Sequence, residues 1–138
     1  MKIRQISIFL ENAAGRLAEV TRVLKQGGVN LRAIMIADTA DFGILRVIVD
    51  DPDRALSILT NAKFTTKTTD VLAVTISDKV GSLADILAIF ERDGINIEYL
   101  YAALEKVGET AVVIFKVEDL EKGLRVVEAN GLGGKASL

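Results

Sequence analysis

The densest groups of ionisable side chains are two acidic clusters, Asp50, Asp51 and Asp53, then Glu118, Asp119 and Glu121. Neighbouring carboxylates can serve acid–base chemistry or hold a divalent cation. Each cluster, however, opens a run with helical spacing, where acidic side chains cap free backbone N–H groups and favour the helix dipole. That role accounts for both. Asp38 and Asp41 flank the turn-like "DTADFG" and read as turn residues. The chain has no Cys and no His. It therefore lacks a thiolate nucleophile, a disulfide framework, and the commonest general base and metal ligand. The sequence assigns no catalytic residue, no metal and no cofactor, and the reading is of a non-enzyme.

What remains is backbone chemistry. "ENAAGRL" (residues 11–17) follows the apolar run "ISIFL", and "SDKVGSL" (residues 77–83) follows "VLAVTI". The first turn of a helix leaves backbone N–H groups without internal partners and carries partial positive charge. Ala13, Ala14 and Gly15 are small enough for a ligand to approach that backbone closely. A carboxylate can be held there without a charged side chain. Asn12 and Glu11, or Asp78 in the second stretch, can accept hydrogen bonds from an ammonium group. A free amino acid carries both groups. The competing reading is that Gly15 and Gly81 only permit a tight strand-to-helix turn.

The two stretches belong to a repeat. Shifted by 66 residues, "GRLAEVTRVLKQGGVNLRAI" lies over "GSLADILAIFERDGINIEYL", and with a shift of 68 "LRVIVDDPDRAL" lies over "VIFKVEDLEKGL". The halves are residues 1–69 and 70–138. Each reads strand, helix, strand, strand, helix, strand. "IRQISIFL" alternates, with Ile6, Ile8 and Leu10 on one face. Leu17, Val20, Val23 and Leu24 have helical spacing before Gly27-Gly28, and Leu83, Ile86, Leu87 and Phe90 repeat it before Gly94. "DDPDRALSIL" opens a helix with Asp51 as N-cap and Pro52 at the first helical position. "FTTKTT" is the fourth strand and runs into "VLAVTI" with only Asp70 between. The fourth strand of the second half, in "GLGGKASL", is poor, with Gly133 and Gly134 where the first half has Thr65 and Thr66.

A βαββαβ order predicts the α+β class: two ferredoxin-like units with antiparallel sheets and helices on one face. A half of this size is marginal alone. The mean hydropathy of +0.35 suggests that open sheet faces and edges are covered by pairing of the halves and by a second chain, a homodimer. The net charge is −2, from 17 basic and 19 acidic residues, with no basic stripe, so no nucleic-acid partner is expected. The third strands, "GILRVIVD" and "AVVIFKVED", lack the exposed aromatic pairs of an RNA-binding sheet, and Phe115 reads as core. No Cys-x-x-Cys marks a metal carrier. "MKIRQISIFLEN" is too short and polar for a signal peptide or membrane span, so the expected protein is cytoplasmic, with no membrane partner.

"ENAAGRLAEVTRVLKQGGVNL" and "SDKVGSLADILAIFERDGINI" resemble ACT domains, small regulatory modules that bind amino acids. The shared features are the polar residue, Gly and Leu that open the helix, and the "GVNL" and "GINI" entries into the second strand. "SIFLENAAGRL", "ADFGILRVIVDDPDRA" and "TDVLAV" further resemble stand-alone proteins of two ACT domains. In that family, paired modules place their sheets side by side and hold an effector between the first loop of one and the second strand of its neighbour. The resemblance implies one site from Glu11, Asn12, Ala13, Ala14, Gly15, Arg16 and Leu17 with Ile97, Tyr99 and Tyr101, where the two tyrosines can equally pack on the paired sheet. It implies another from Asp78, Val80, Gly81, Ser82 and Leu83 with Leu31, Ala33 and Met35. Asn30 and Asn96 stand at the seam, where each can equally ease the chain from helix to strand. Family loops often have Pro before the Gly, whereas this chain has Ala14 and Val80. The first loop has the better claim, because Lys79 and Val80 make the second bulkier. The expected function is a non-catalytic regulator or sensor that binds a free amino acid and acts on a regulated enzyme. The alternative is a ligand-free structural or interaction module that docks on a partner enzyme.

Overall fold

The structure is a computed structural model and describes residues 1–38, 41–104, 108–133 and 138. Its elements are β1 (Lys2–Glu11), α1 (Arg16–Gln26), β2 (Leu31–Asp38), β3 (Phe42–Val49), α2 (Pro52–Asn61), β4 (Thr65–Ser77), α3 (Ser82–Arg92), β5 (Ile97–Ala102), β6 (Thr110–Val117) and α4 (Leu120–Ala129). Six antiparallel strands and four helices form paired ferredoxin-like units of the α+β class. The chain divides into two compact units. The first is Arg4–Thr69 with Leu138; the second is Met1–Ile3 with the described residues from Asp70 to Gly133.

In the first unit the strand order is β2-β3-β1-β4. The register pairs Ile6 with Val47, Ile8 with Leu45 and Leu10 with Gly43. Because side chains alternate along a strand, Ile6, Ile8, Leu45 and Val47 share one face. Both helices cover that face: Val20 and Leu24 of α1, and Ala55 and Leu59 of α2, complete the core. Each pair is four residues apart, one helical turn. Asp51 caps α2, its Oδ1 accepting from the Arg54 N–H at 3.1 Å, and Pro52 occupies the first helical position.

In the second unit the same pattern recurs. Leu72 faces Phe115 and Val74 faces Val113 across β4 and β6. Ile86 and Phe90 of α3 and Val127 of α4 pack on them. The Phe90 and Phe115 rings meet edge to face, their centroids 5.2 Å apart.

Two local expectations are revised. β4 is one uninterrupted strand through Asp70; an exposed acid on a strand's solvent side breaks nothing. In "GLGGKASL", Gly131, Leu132 and Gly133 form no strand, and residues 134–137, with the Gly134 of the sequence reading, lie outside the described residues. Instead, Met1–Ile3 lies beside β4 on the side away from β6: the Ala73 N–H donates to the Met1 carbonyl at 2.8 Å, and the Met1 amino group donates to the Ala73 carbonyl at 3.0 Å. Leu17 and Leu83, which share the helical spacing of the stripe and stand in the implied ligand loops, are 40% and 36% exposed. They stand in the first turns of their helices, ahead of the part that packs on the sheet.

Candidate functional site

The first loop is built by a strand that ends and a helix that begins without a side-chain cap. The Asn12 N–H donates to the Asp41 carbonyl at 3.1 Å, the Ala13 N–H to Glu11 at 2.9 Å, and the Arg16 N–H to Ala13 at 3.3 Å. Gly15 then turns the chain at φ 87°, in the left-handed region that favours glycine. Among the described residues, no protein group accepts from the N–H groups of Ala14, Gly15, Leu17 or Ala18. The second loop repeats this backbone. The Asp78 N–H donates to the Glu109 carbonyl at 2.7 Å, the Ser82 N–H to Lys79 at 3.2 Å, and Gly81 has φ 88°. The two sequence readings of Gly15 and Gly81 are therefore compatible: each permits the turn, and each turn leaves donors free.

Within the first unit the loop opens onto a cleft of about 350 Å³. Glu11, Asn12, Ala13 and Arg16 line it at the loop. Leu10, Leu17, Ile36 and Gly43 complete the lining. Ile36 lies opposite Leu45 on the helix-facing side of the sheet. It is nonetheless 51% exposed, because α1 starts at Arg16 and its buried contacts begin at Val20. Arg16 is anchored at the rim. Its Nη1 donates to Glu19 Oε2 at 2.7 Å and its guanidinium lies 5.4 Å from the Phe64 ring centroid, while its Nε is buried without a partner. A carboxylate, an ammonium group and an apolar side chain each find complementary chemistry in this one cleft.

Glu11, Asn12, Ala13, Arg16 and Leu17 of the sequence reading thus come together, with Ala14 and Gly15 forming the turn beside them. Leu10, Ile36 and Gly43 were missed. A glycine one residue into a strand marks a close approach, and that signal was present in "ADFG". Asn30 and Leu31 lie at the opposite end of α1, beside a second cavity of about 370 Å³. Asn30 is held there by Asp50: its N–H donates to Asp50 Oδ1 at 2.9 Å, and the Asp50 N–H returns to the Asn30 carbonyl at 3.1 Å. Asn96 repeats the arrangement with Glu118, through its Nδ2 at 3.1 Å and the Glu118 N–H at 3.0 Å. Ala33 is buried opposite Ile48, and Met35 lies opposite Arg46. In the second unit, Val80 is fully exposed, and Ser82 and Leu83 open α3. On β5, Ile97 faces Val117, Tyr99 faces Lys116, and Tyr101, buried, faces Ile114.

The acidic clusters have structural partners. Besides Asp50, Asp51 and Glu118, Asp119 caps α4 by accepting from the Lys122 N–H at 3.0 Å, and Asp53 pairs with Arg4 at 2.8 Å. Asp93 is held below the usual carboxylate range by hydrogen bonds from Arg92, but it is an exposed pair at the C-terminal end of α3. Among the described residues, no group of three or more acidic side chains could hold a metal ion, and no helix is long and apolar enough to cross a membrane.

Comparison with known proteins places this fold. Residues 1–134 match the family model for an ACT domain pair. The chain is 34% identical over 90 residues to the acetolactate synthase small subunit of Buchnera aphidicola. That match covers 64% of this chain and 57% of the relative, so the chain spans a little over half the length of the curated relative it matches. Among solved structures, a protein from Bacteroides thetaiotaomicron is 39% identical, with a TM-score of 0.89 over 96% of this chain and 90% of that one. The ligand-free regulatory subunit of aspartate kinase from Thermus thermophilus shares the fold, at 23% identity and a TM-score of 0.60, over 91% of each chain. With two copies of the uncapped strand-to-helix loop and a family match along nearly its whole length, the chain belongs to the ACT domain pair family, whose domains are regulatory modules.

Proposed function

We propose that this chain is a non-catalytic regulator that binds a free amino acid at the first loop. One observation carries the reading: the acceptors Glu11 and Asn12, the cation Arg16 and the apolar Leu10, Leu17 and Ile36 line one cleft at the start of α1, beside the turn in which the Ala14 and Gly15 N–H groups have no protein acceptor. The ligand's carboxylate would take the N–H groups around Gly15, and its ammonium group the oxygens of Asn12 and Glu11. The responding partner would be an amino-acid biosynthetic enzyme.

The test is titration calorimetry with the twenty amino acids, alongside thermal melts. Ligand at 100 times its Kd stabilises the fold by about 2.7 kcal/mol. Gly15 sits at positive φ, so the informative variants are Gly15→Asp and Gly15→Asn, because Asp and Asn both enter the left-handed region more readily than other side chains. They are near-isosteres and differ in charge. Gly15→Asp should abolish binding by occupying the anion position, while Gly15→Asn should retain part of it. Equal affinity in Gly15→Asp and the parent would remove the first loop as the carboxylate site.

A second reading rests on Phe42 and Phe9, 59% and 40% exposed. They lie on the sheet face opposite the helices, where Phe9 pairs with Ile44. Such a surface suits association with a second copy or a partner enzyme. Sedimentation equilibrium of a chain that stays monomeric at every accessible concentration would remove the homodimer.

A further inference from the structure

Resting on the amino-acid reading, we propose that the first-unit cleft selects an amino acid with an apolar side chain, and that Ile36 and Gly43 set the size it accepts. Apart from Glu11, Asn12, Ala13 and Arg16 of the loop, the cleft is lined only by Leu10, Leu17, Ile36 and the bare Gly43 backbone. Ile36 and Leu17 are large aliphatic side chains left about half exposed by the packing of their own unit. A ligand side chain that covers them removes apolar surface from water. A charged one finds the charged lining residues already engaged, Arg16 by Glu19 and, on this reading, Glu11 by the ligand's ammonium group, and it is desolvated without compensation. The cleft, about 350 Å³, lies at the small end of ligand pockets. It suits one small molecule better than a peptide segment.

Gly43 is the size control. A Cβ built there would stand 3.6 Å from Ile36 Cδ1 and 3.8 Å from Ile36 Cγ1. Those are ordinary contacts, so the protein tolerates the methyl, which takes its volume from the cleft. The second unit makes the same comparison internally. Gly43 pairs with Leu10 as Ala111 pairs with Ile76, and Ile36 pairs with Leu45 as Ala102 pairs with Val113. There the glycine has become alanine and the isoleucine alanine, while Arg16 has become Ser82. The combination of a bare floor and a large apolar wall belongs to the first unit.

Calorimetry on the full chain, with leucine, isoleucine, valine, phenylalanine, alanine, aspartate and lysine as separate titrants, tests this. The expected result is at least tenfold tighter binding of one or more of the four large apolar amino acids than of alanine, aspartate or lysine. Gly43→Ala should keep the parent's melting curve and weaken the best ligand at least fivefold, with a smaller loss for alanine. Ile36→Ala should weaken the large apolar ligands about tenfold. Tightest binding of aspartate or lysine, or unchanged selectivity in both variants, overturns the proposal and leaves the amino-acid reading standing. No binding by any amino acid overturns both.

Discussion

Gly28, Gly94 and Gly131 each follow a helix at φ 71°, 67° and 66°, and the corresponding residue after α2 is Lys63 at φ 69°. The hydrogen bonds are the same at all four ends. The Phe64 N–H reaches back to Leu59 at 3.0 Å as Val29 does to Leu24, Ile95 to Phe90 and Leu132 to Val127. The helix stop thus requires a left-handed residue, and only at Lys63 does a side chain bear the strain of supplying it. Left-handed backbone costs an ordinary L-residue about 1–2 kcal/mol, part of which glycine's freedom in the unfolded chain returns. Lys63→Gly is therefore expected to raise the unfolding free energy by about 0.5–1 kcal/mol. Urea denaturation with an unchanged slope would check it. A decrease would mean that the Lys63 side chain contributes more than its backbone costs.

At the scale of elements, much was legible because the signals are local. The alternation in "IRQISIFL", the Asp51-Pro52 helix start and the glycine helix ends all act within one turn or one strand. Asp51→Ala and Asp119→Ala should each cost about 1 kcal/mol, since each removes the acceptor for one free N–H at a helix start. Melts of the two variants, compared with that of Asp53→Ala, whose partner is the exposed Arg4, would separate capping from surface charge. The features that escaped the sequence depend on where elements meet. Ile36 looks like any other inward residue of "LRAIMIA"; its exposure follows from α1 starting too late to cover it. Leu17 fits the helical stripe yet precedes the packed turn. The edge of the second unit could not be read from its own half, because the segment beside Ala73 is Met1–Ile3, some seventy residues away in sequence. A weak strand signal in "GLGGKASL" was visible, but a substitute from the other end of the chain has no local signature.

At the scale of the whole molecule, duplication preserved the backbone of the loop and changed what surrounds it. Gly15 and Gly81 have φ and ψ of 87° and −12°, and 88° and −8°. The loop hydrogen bonds to Asp41 and Glu109 are equivalent. If free N–H donors alone decided binding, the chain would take two ligands. The side chains argue otherwise. Ala13 corresponds to Lys79, Ala14 to Val80, Arg16 to Ser82, Ile36 to Ala102 and Gly43 to Ala111. The second loop is thereby bulkier where a ligand must approach, and its wall loses the isoleucine that an apolar side chain would cover. The expected stoichiometry is one amino acid per chain. Gly81→Asp should leave affinity and stoichiometry at the parent's values, whereas Gly15→Asp removes the binding isotherm altogether. Calorimetry at protein concentrations well above Kd reads the stoichiometry directly. Two equivalent sites, or loss of the isotherm in Gly81→Asp, would mean that the conserved backbone of the two loops outweighs the divergence of their walls.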